Sequence, residues 1–234
     1  IWQRPWLLAA GITLGAATAV KWNGLYFLAA VGLYLVLSEI SFEDGEIDLL
    51  NLAKQAAAKF VILIPSAFVV YLLSWTGWFN SSEGYDRNWA DQVGNAWTGL
   101  LAWVPTSLQS LWHYHVEAYN FHVGLRTPHS YQSNPLTWLF LTRPTSFFYE
   151  GFDKGENGCT ADSGCSSAIT ALGNPIIWLP ALAAVLFLLY LFISRRDKAA
   201  GFILLGVAAG YLPWMLYLQR TVFQFYIIAF EPFM

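Results

Sequence analysis

Apolar residues run along this chain in long blocks, interrupted by polar stretches at only a few places. A membrane-crossing helix needs roughly 20 largely apolar residues. Blocks at 5–20, 22–38, 60–76, 175–193 and 201–218 approach that length, and an incomplete one starts at 221. Only "KWNG" (21–24) separates the first two, so their turn is tight and close to the membrane. Gly11 and Gly15 form a GxxxG pair, a spacing that lets a second helix approach closely. Chance is the competing reading, because Gly is frequent in membrane helices. The pattern predicts an all-α integral membrane protein, a multi-spanning helical bundle in three parts. Residues 1–76 hold three membrane helices with a connecting loop at 39–59. Residues 77–173 form a long segment without a spanning run. Residues 174–234 hold two membrane helices and the start of a third.

Composition agrees with the pattern. The chain has 234 residues, of which 56% are hydrophobic, 18% aromatic and 12% charged, against about 25% charged in a soluble domain. Net charge is −3, so no basic footprint points to nucleic acid. The chain starts at Ile1 and ends inside an apolar run, which reads as a piece of a longer protein.

Orientation follows from basic residues in short loops. "SRRDK" (194–198) marks the inner side, and alternation then places Arg4, Lys54, Lys59, Arg195, Arg196 and Lys198 inside. The long segment 77–173 falls outside, as do Lys21 and Arg220 at tight helix connections. Cys159 and Cys165, six apart in the polar stretch "ENGCTADSGCSS", suit a small disulfide on that oxidising side. Two free thiols are the alternative. Two sulfurs without further ligands do not fill a zinc shell.

The long segment gathers all four histidines, His113, His115, His122 and His129. Its first half reads as one or two amphipathic helices. Leu111, Tyr114, Ala118, Phe121 and Leu125 form an apolar stripe, and Trp112, His115, Tyr119 and His122 a second one beside it. Three readings of the His/Tyr face compete. Metal is disfavoured, since His115 and His122 are two turns apart and no HExxH occurs. An interfacial helix lying on the membrane is the second. The wall of a polar site that holds hydroxyls or a phosphate is the third. The following stretch, "RTPHSYQSNPLTWLFLTRPTSFFYE", is punctuated by Pro128, Pro135 and Pro144, so it cannot be one helix. It reads as a compact loop of hydroxyls, aromatics and two arginines, of the kind that binds ligands over a scaffold. There is no GxGxxG, P-loop or DxD, so neither a nucleotide nor a metal–nucleotide-sugar site is indicated.

Several blocks resemble the protein O-mannosyltransferases of the actinobacterial type. They are Tyr114-His115, Tyr119 and Phe121-His122; then His129, Tyr131, Ser133, Pro135 and Trp138; then Arg143-Pro144 and Phe148-Tyr149. "GITLGAATAVKWNGLYFL" (11–28) and "GYLPWMLYLQRTVFQFY" (210–226) resemble the family too, so the likeness runs over essentially the whole chain. One departure is Leu139, where the family usually has proline after the tryptophan. The resemblance implies a GT-C-like membrane fold with its active site on the extracytoplasmic face of a bacterial plasma membrane. It implies transfer of mannose from polyprenyl-phosphate-mannose, a lipid-linked substrate rather than a cofactor, to Ser or Thr hydroxyls of secreted proteins. It also implies a catalytic Asp-Glu pair in a loop that precedes residue 1, so no catalytic residue is expected in this chain and the piece alone is expected to be inactive.

The chemistry asks for a base on the acceptor hydroxyl and cations for the leaving phosphate. Charges at the lipid boundary are usually functional. Arg220 and Lys21 are therefore candidates for the donor phosphate, with Arg143 a third; snorkelling at the interface is the competing reading. His115, Tyr119, His122, His129, Ser133 and Trp138 are candidates for the site wall or acceptor binding. Expected partners are membrane lipid, the donor, the acceptor proteins and a secretion channel that presents them. Two other functions compete. One is a lipid-phosphate-sugar transferase acting on a glycan or lipid. The other, of a different class, is a polyprenyl-lipid transporter or scaffold, which would place polar residues at mid-helix.

Overall fold

The structure, a computed structural model, describes residues 3–40, 42–43 and 46–234. It divides into two compact units, Ile1–Gly124 and Leu125–Met234. The division falls inside the long segment rather than at its ends.

The first unit is built on three helices, α1 (Pro5–Val20), α2 (Gly24–Leu37) and α3 (Leu49–Ser74). Proline at its first position starts α1, and Asp48 caps α3 by accepting from the Asn51 N–H at 3.0 Å. α3 begins inside the expected 39–59 loop. The rest of that loop holds two short antiparallel strands, β1 (Phe42–Glu43) and β2 (Glu46–Ile47); its residues 41, 44 and 45 lie outside the described residues. α1 packs along α3 through its two glycines. A Cβ at Gly11 would stand 2.8 Å from the Leu63 carbonyl oxygen, and one at Gly15 2.4 Å from that of Ala67. Both clashes are with backbone, so the GxxxG spacing here is a packing device. Leu28, Leu63 and Ala67 form the buried centre of the trio. At one end buried Lys59 of α3 donates to the Leu35 carbonyl and the Glu39 carboxylate.

Past α3 come a short helix, α4 (Thr76–Asn80), and then α5 (Thr106–Gly124). The coil between them is pinned from the start of α5. Gln109 accepts from the Trp97 N–H at 2.6 Å and donates to Val104 at 2.7 Å; Ser110 accepts from the Ala90 N–H at 3.0 Å. Both side chains are fully buried. Leu111 of the expected apolar stripe is buried as well, whereas Phe121 is exposed.

The second unit contains a hairpin of β3 (Thr145–Phe152) and β4 (Cys165–Ala171), then α6 (Pro175–Arg195) and α7 (Lys198–Tyr211). The sequence reading made 126–150 a compact loop and 156–167 a polar one; the structure pairs 145–152 with 165–171 antiparallel, with Cys159 bonded to Cys165. Asn174 caps α6 and Asp197 caps α7. The expected third helix from 221 is instead a pair of 3-10 turns, Gln224–Ala229 and Glu231–Phe233. Phe233 packs on Gly206, where an added Cβ would lie 2.2 Å from its ring. The core is aromatic: Trp138, Trp178, Trp214, Val222, Ile227 and Phe230.

Among the described residues three helical stretches are long and apolar enough to cross a membrane: Leu49–Ser74, Pro175–Arg195 and Lys198–Tyr217. α1 and α2 are apolar but shorter. α6 buries only Trp178 fully and exposes Leu, Ile and Phe outside one half-buried stripe, a surface suited to lipid.

Candidate functional site

In the first unit, Trp22, Tyr71 and His115 come together from the α1–α2 turn, α3 and α5. The Trp22 indole N–H donates to the Tyr71 hydroxyl at 3.0 Å. Tyr71 Oη lies 2.5 Å from His115 Nε2, and His115 Nδ1 lies 2.6 Å from the Leu111 carbonyl. A carbonyl only accepts, so Nδ1 carries the hydrogen and Nε2 accepts from tyrosine. The rings of Trp22 and His115 stack, with centroids 5.3 Å apart and planes 9° apart. Below this network lies an apolar cavity of about 410 Å³, lined among others by Gly15, Thr18, Leu25, Phe68 and Trp112. Lys21, next to Trp22 in the chain, caps α1 from an exposed position.

In the second unit, residues 125–134 lie along residues 220–224. The Thr221 N–H donates to Leu125 at 3.0 Å and its hydroxyl to Thr127 at 2.6 Å. The Ser133 N–H donates to Val222 at 2.9 Å. The ring of His129 meets Phe223 edge-on at 5.0 Å. Gln224, 1% exposed, accepts the Arg143 N–H at 2.8 Å. The Arg143 guanidinium donates to the Ser130 carbonyl. Arg220 sits half-buried over the Trp214 ring, 5.9 Å from its centroid. The blocks "RTPHSYQSNP" and "RTVFQFY", about ninety residues apart in sequence, thus form one clasp.

The sequence candidates separate accordingly. Arg143, Arg220, His129 and Ser133 meet in the clasp of the second unit. Lys21 and His115 belong to the first unit. Tyr119 and His122 also lie on α5 but are exposed, away from the Tyr71 network. Trp138 is fully buried, its indole N–H donating to Ser133 Oγ at 2.8 Å and its ring set against Trp214 at 5.5 Å. It has no open face for a sugar to stack on, and this corrects the expectation that it lines the site. Among the described residues no three or more His, Cys, Asp or Glu are placed to hold a metal. Tyr71, Thr221 and Gln224 escaped the sequence reading. The signal for Tyr71 and Gln224 was a polar group alone in an apolar run.

Apolar helices of spanning length define an integral membrane protein, and its second unit folds an aromatic, hydroxyl-rich segment into a clasp. A family model described as the C-terminal four-transmembrane region of protein-O-mannosyltransferase matches residues 107–230. Another, dolichyl-phosphate-mannose-protein mannosyltransferase, matches residues 2–83. The chain belongs to the protein-O-mannosyltransferase family. It is 34% identical over 99% of its length to a polyprenol-phosphate-mannose–protein mannosyltransferase of Mycolicibacterium smegmatis. It is 30% identical to proteins of the same name from Mycobacterium tuberculosis and Corynebacterium glutamicum, over 99% and 98% of its length. It spans 45% of the length of each of these relatives. No solved structure matches significantly.

Proposed function

We propose that this chain is part of an enzyme that moves mannose from polyprenyl-phosphate-mannose to Ser or Thr hydroxyls of secreted proteins. The observation that carries the reading is the apolar cavity of about 410 Å³ lined in part by Trp22, with Lys21 next to Trp22 in the chain at the end of α1. A prenyl chain fits such a lining, and an ammonium at the boundary suits the phosphate that the chain carries. Within the second unit, Arg220 and Arg143 are the cations proposed for a phosphate. The names of the relatives support the same donor and a protein acceptor.

The acceptor hydroxyl attacks the anomeric carbon, and the bond from that carbon to the phosphate oxygen breaks. The leaving group is already a good one, so cations rather than a general acid serve it. A carboxylate base takes the proton of the acceptor hydroxyl. The reaction faces the extracytoplasmic side of the plasma membrane, and a secretion channel presents the acceptor.

The test uses the full-length protein in membranes, with mannosyl lipid and a Ser/Thr peptide. Mannose should appear on the peptide. Arg220→Ala should raise the KM for the lipid donor at least tenfold, in the range for losing a charge-assisted contact. Unchanged donor KM and turnover would falsify the Arg220 role. Transfer to a glycan or lipid but never to the peptide would favour the other class of transferase.

A further inference from the structure

β3 and β4 form a two-stranded ribbon, and neither strand has another neighbour among the described residues. From Phe147 to Gly151 and from Ser166 to Thr170 both strands are exposed. Such a ribbon is marginal by itself in water, but this one is fixed at both ends. At the base Phe147 meets Phe225 at 5.2 Å, and the Arg143 N–H is held by Gln224. At the tip the Cys159–Cys165 bond ties the turn to the first residue of β4. The arm therefore offers two ready-made edges at low ordering cost.

The edges are not alike. Proteins blunt free edges with charges, prolines and bulges. β3 has two of these devices, a register shift between Ser146 and Phe148 and the charge of Glu150. β4 reads Cys-Ser-Ser-Ala-Ile-Thr-Ala, with no charge, no proline and mostly small side chains, so a second backbone can come close. An edge left open in this way is a template for strand addition.

We propose that the outer edge of β4 binds an extended stretch of the acceptor polypeptide as a third strand. The inference rests on the functional reading above and names how the acceptor is held. An acceptor stretch that is extended offers N–H and C=O groups along one side that can exchange water for a strand edge. β4 supplies that edge, and it starts from an arm rooted in the Arg143–Gln224 clasp. Backbone pairing reads the main chain, so flanking side chains can vary.

The experiment uses the full-length enzyme in membranes with mannosyl lipid and a series of acceptor peptides, each N-methylated at one backbone position. Strand addition predicts that methylation at alternate positions raises the acceptor KM about threefold to tenfold, one hydrogen bond's worth, with kcat unchanged. A photocrosslinking amino acid in place of Ile169 should capture the peptide. Uniform or absent effects of methylation on a peptide that is still mannosylated overturn the proposal. So does capture, at position 169, of another segment of the enzyme or of a second copy. If the unmethylated peptide accepts no mannose, the functional reading fails, and the crosslink still decides whether β4 holds the peptide.

Discussion

The helix trio α1–α3 and the clasp of the second unit are both tight, but by different means. In the trio, small residues let backbones touch, and the buried centre is three aliphatic side chains. Lipid is as apolar as leucine, so helices there gain little from burial and adhere through close fit and a few polar bonds. In the clasp and the core beside it, three tryptophans and a phenylalanine interlock with side chain-to-backbone hydrogen bonds that join residues 39 to 94 apart. That pattern belongs to a boundary where burial still counts and every irregular backbone group needs a partner. Shape holds the first region, and burial plus hydrogen bonding the second.

The largest effect should come from emptying the clasp. Trp138→Ala removes a fully buried ring and the donor to Ser133, and should cost about 3–5 kcal/mol. Thermal unfolding in detergent would register it as a large drop in midpoint; a change of a degree or less would mean that burial is not what holds this region. Next comes overfilling the trio. Gly15→Val presses side-chain atoms onto the Ala67 backbone and should cost about 1–3 kcal/mol. Gly32→Ala, whose new carbon would sit 3.8 Å from Leu63 Cδ2, should be near neutral. Equal losses for the two would contradict a fit-based account.

The smallest effect is electrostatic. The hydrogen bond from Lys59 holds the Glu39 carboxyl below its ordinary pKa, with burial working against it and the charges of Lys59 and Arg4 adding to the lowering. A lowered folded pKa means stabilisation that is fully present above the usual carboxylate range and lost as pH falls through the lowered value. The wild type should melt slightly above Glu39→Gln at neutral pH, and the gap should close on acidification. A gap that widens in acid would reverse the assignment.

The membrane helices were legible because unbroken apolar runs have few alternatives in lipid. The GxxxG contact was legible as a possibility, and only the Ala67 backbone opposite Gly15 decided it. The β3–β4 ribbon was not legible: "TSFFYEGF" and "CSSAITA" show no clean alternation, since neither face is buried. The helical spacing put His115, Tyr119 and His122 on one face, yet of the three only His115 is joined to Tyr71, while Tyr119 and His122 are exposed. Trp138 illustrates a general limit: a tryptophan among hydroxyls and prolines suits a sugar platform and a core equally well, and only burial separates them.

The chain from Trp22 through Tyr71 and His115 to the Leu111 carbonyl has a fixed polarity. It starts at a group that can only give a hydrogen and ends at one that can only take. Every hydrogen between them is thereby assigned, and the row has no second, reversed arrangement. It works as a ratcheted strut, registering α5 against α3 and the α1–α2 turn by the direction of its bonds as well as by their lengths.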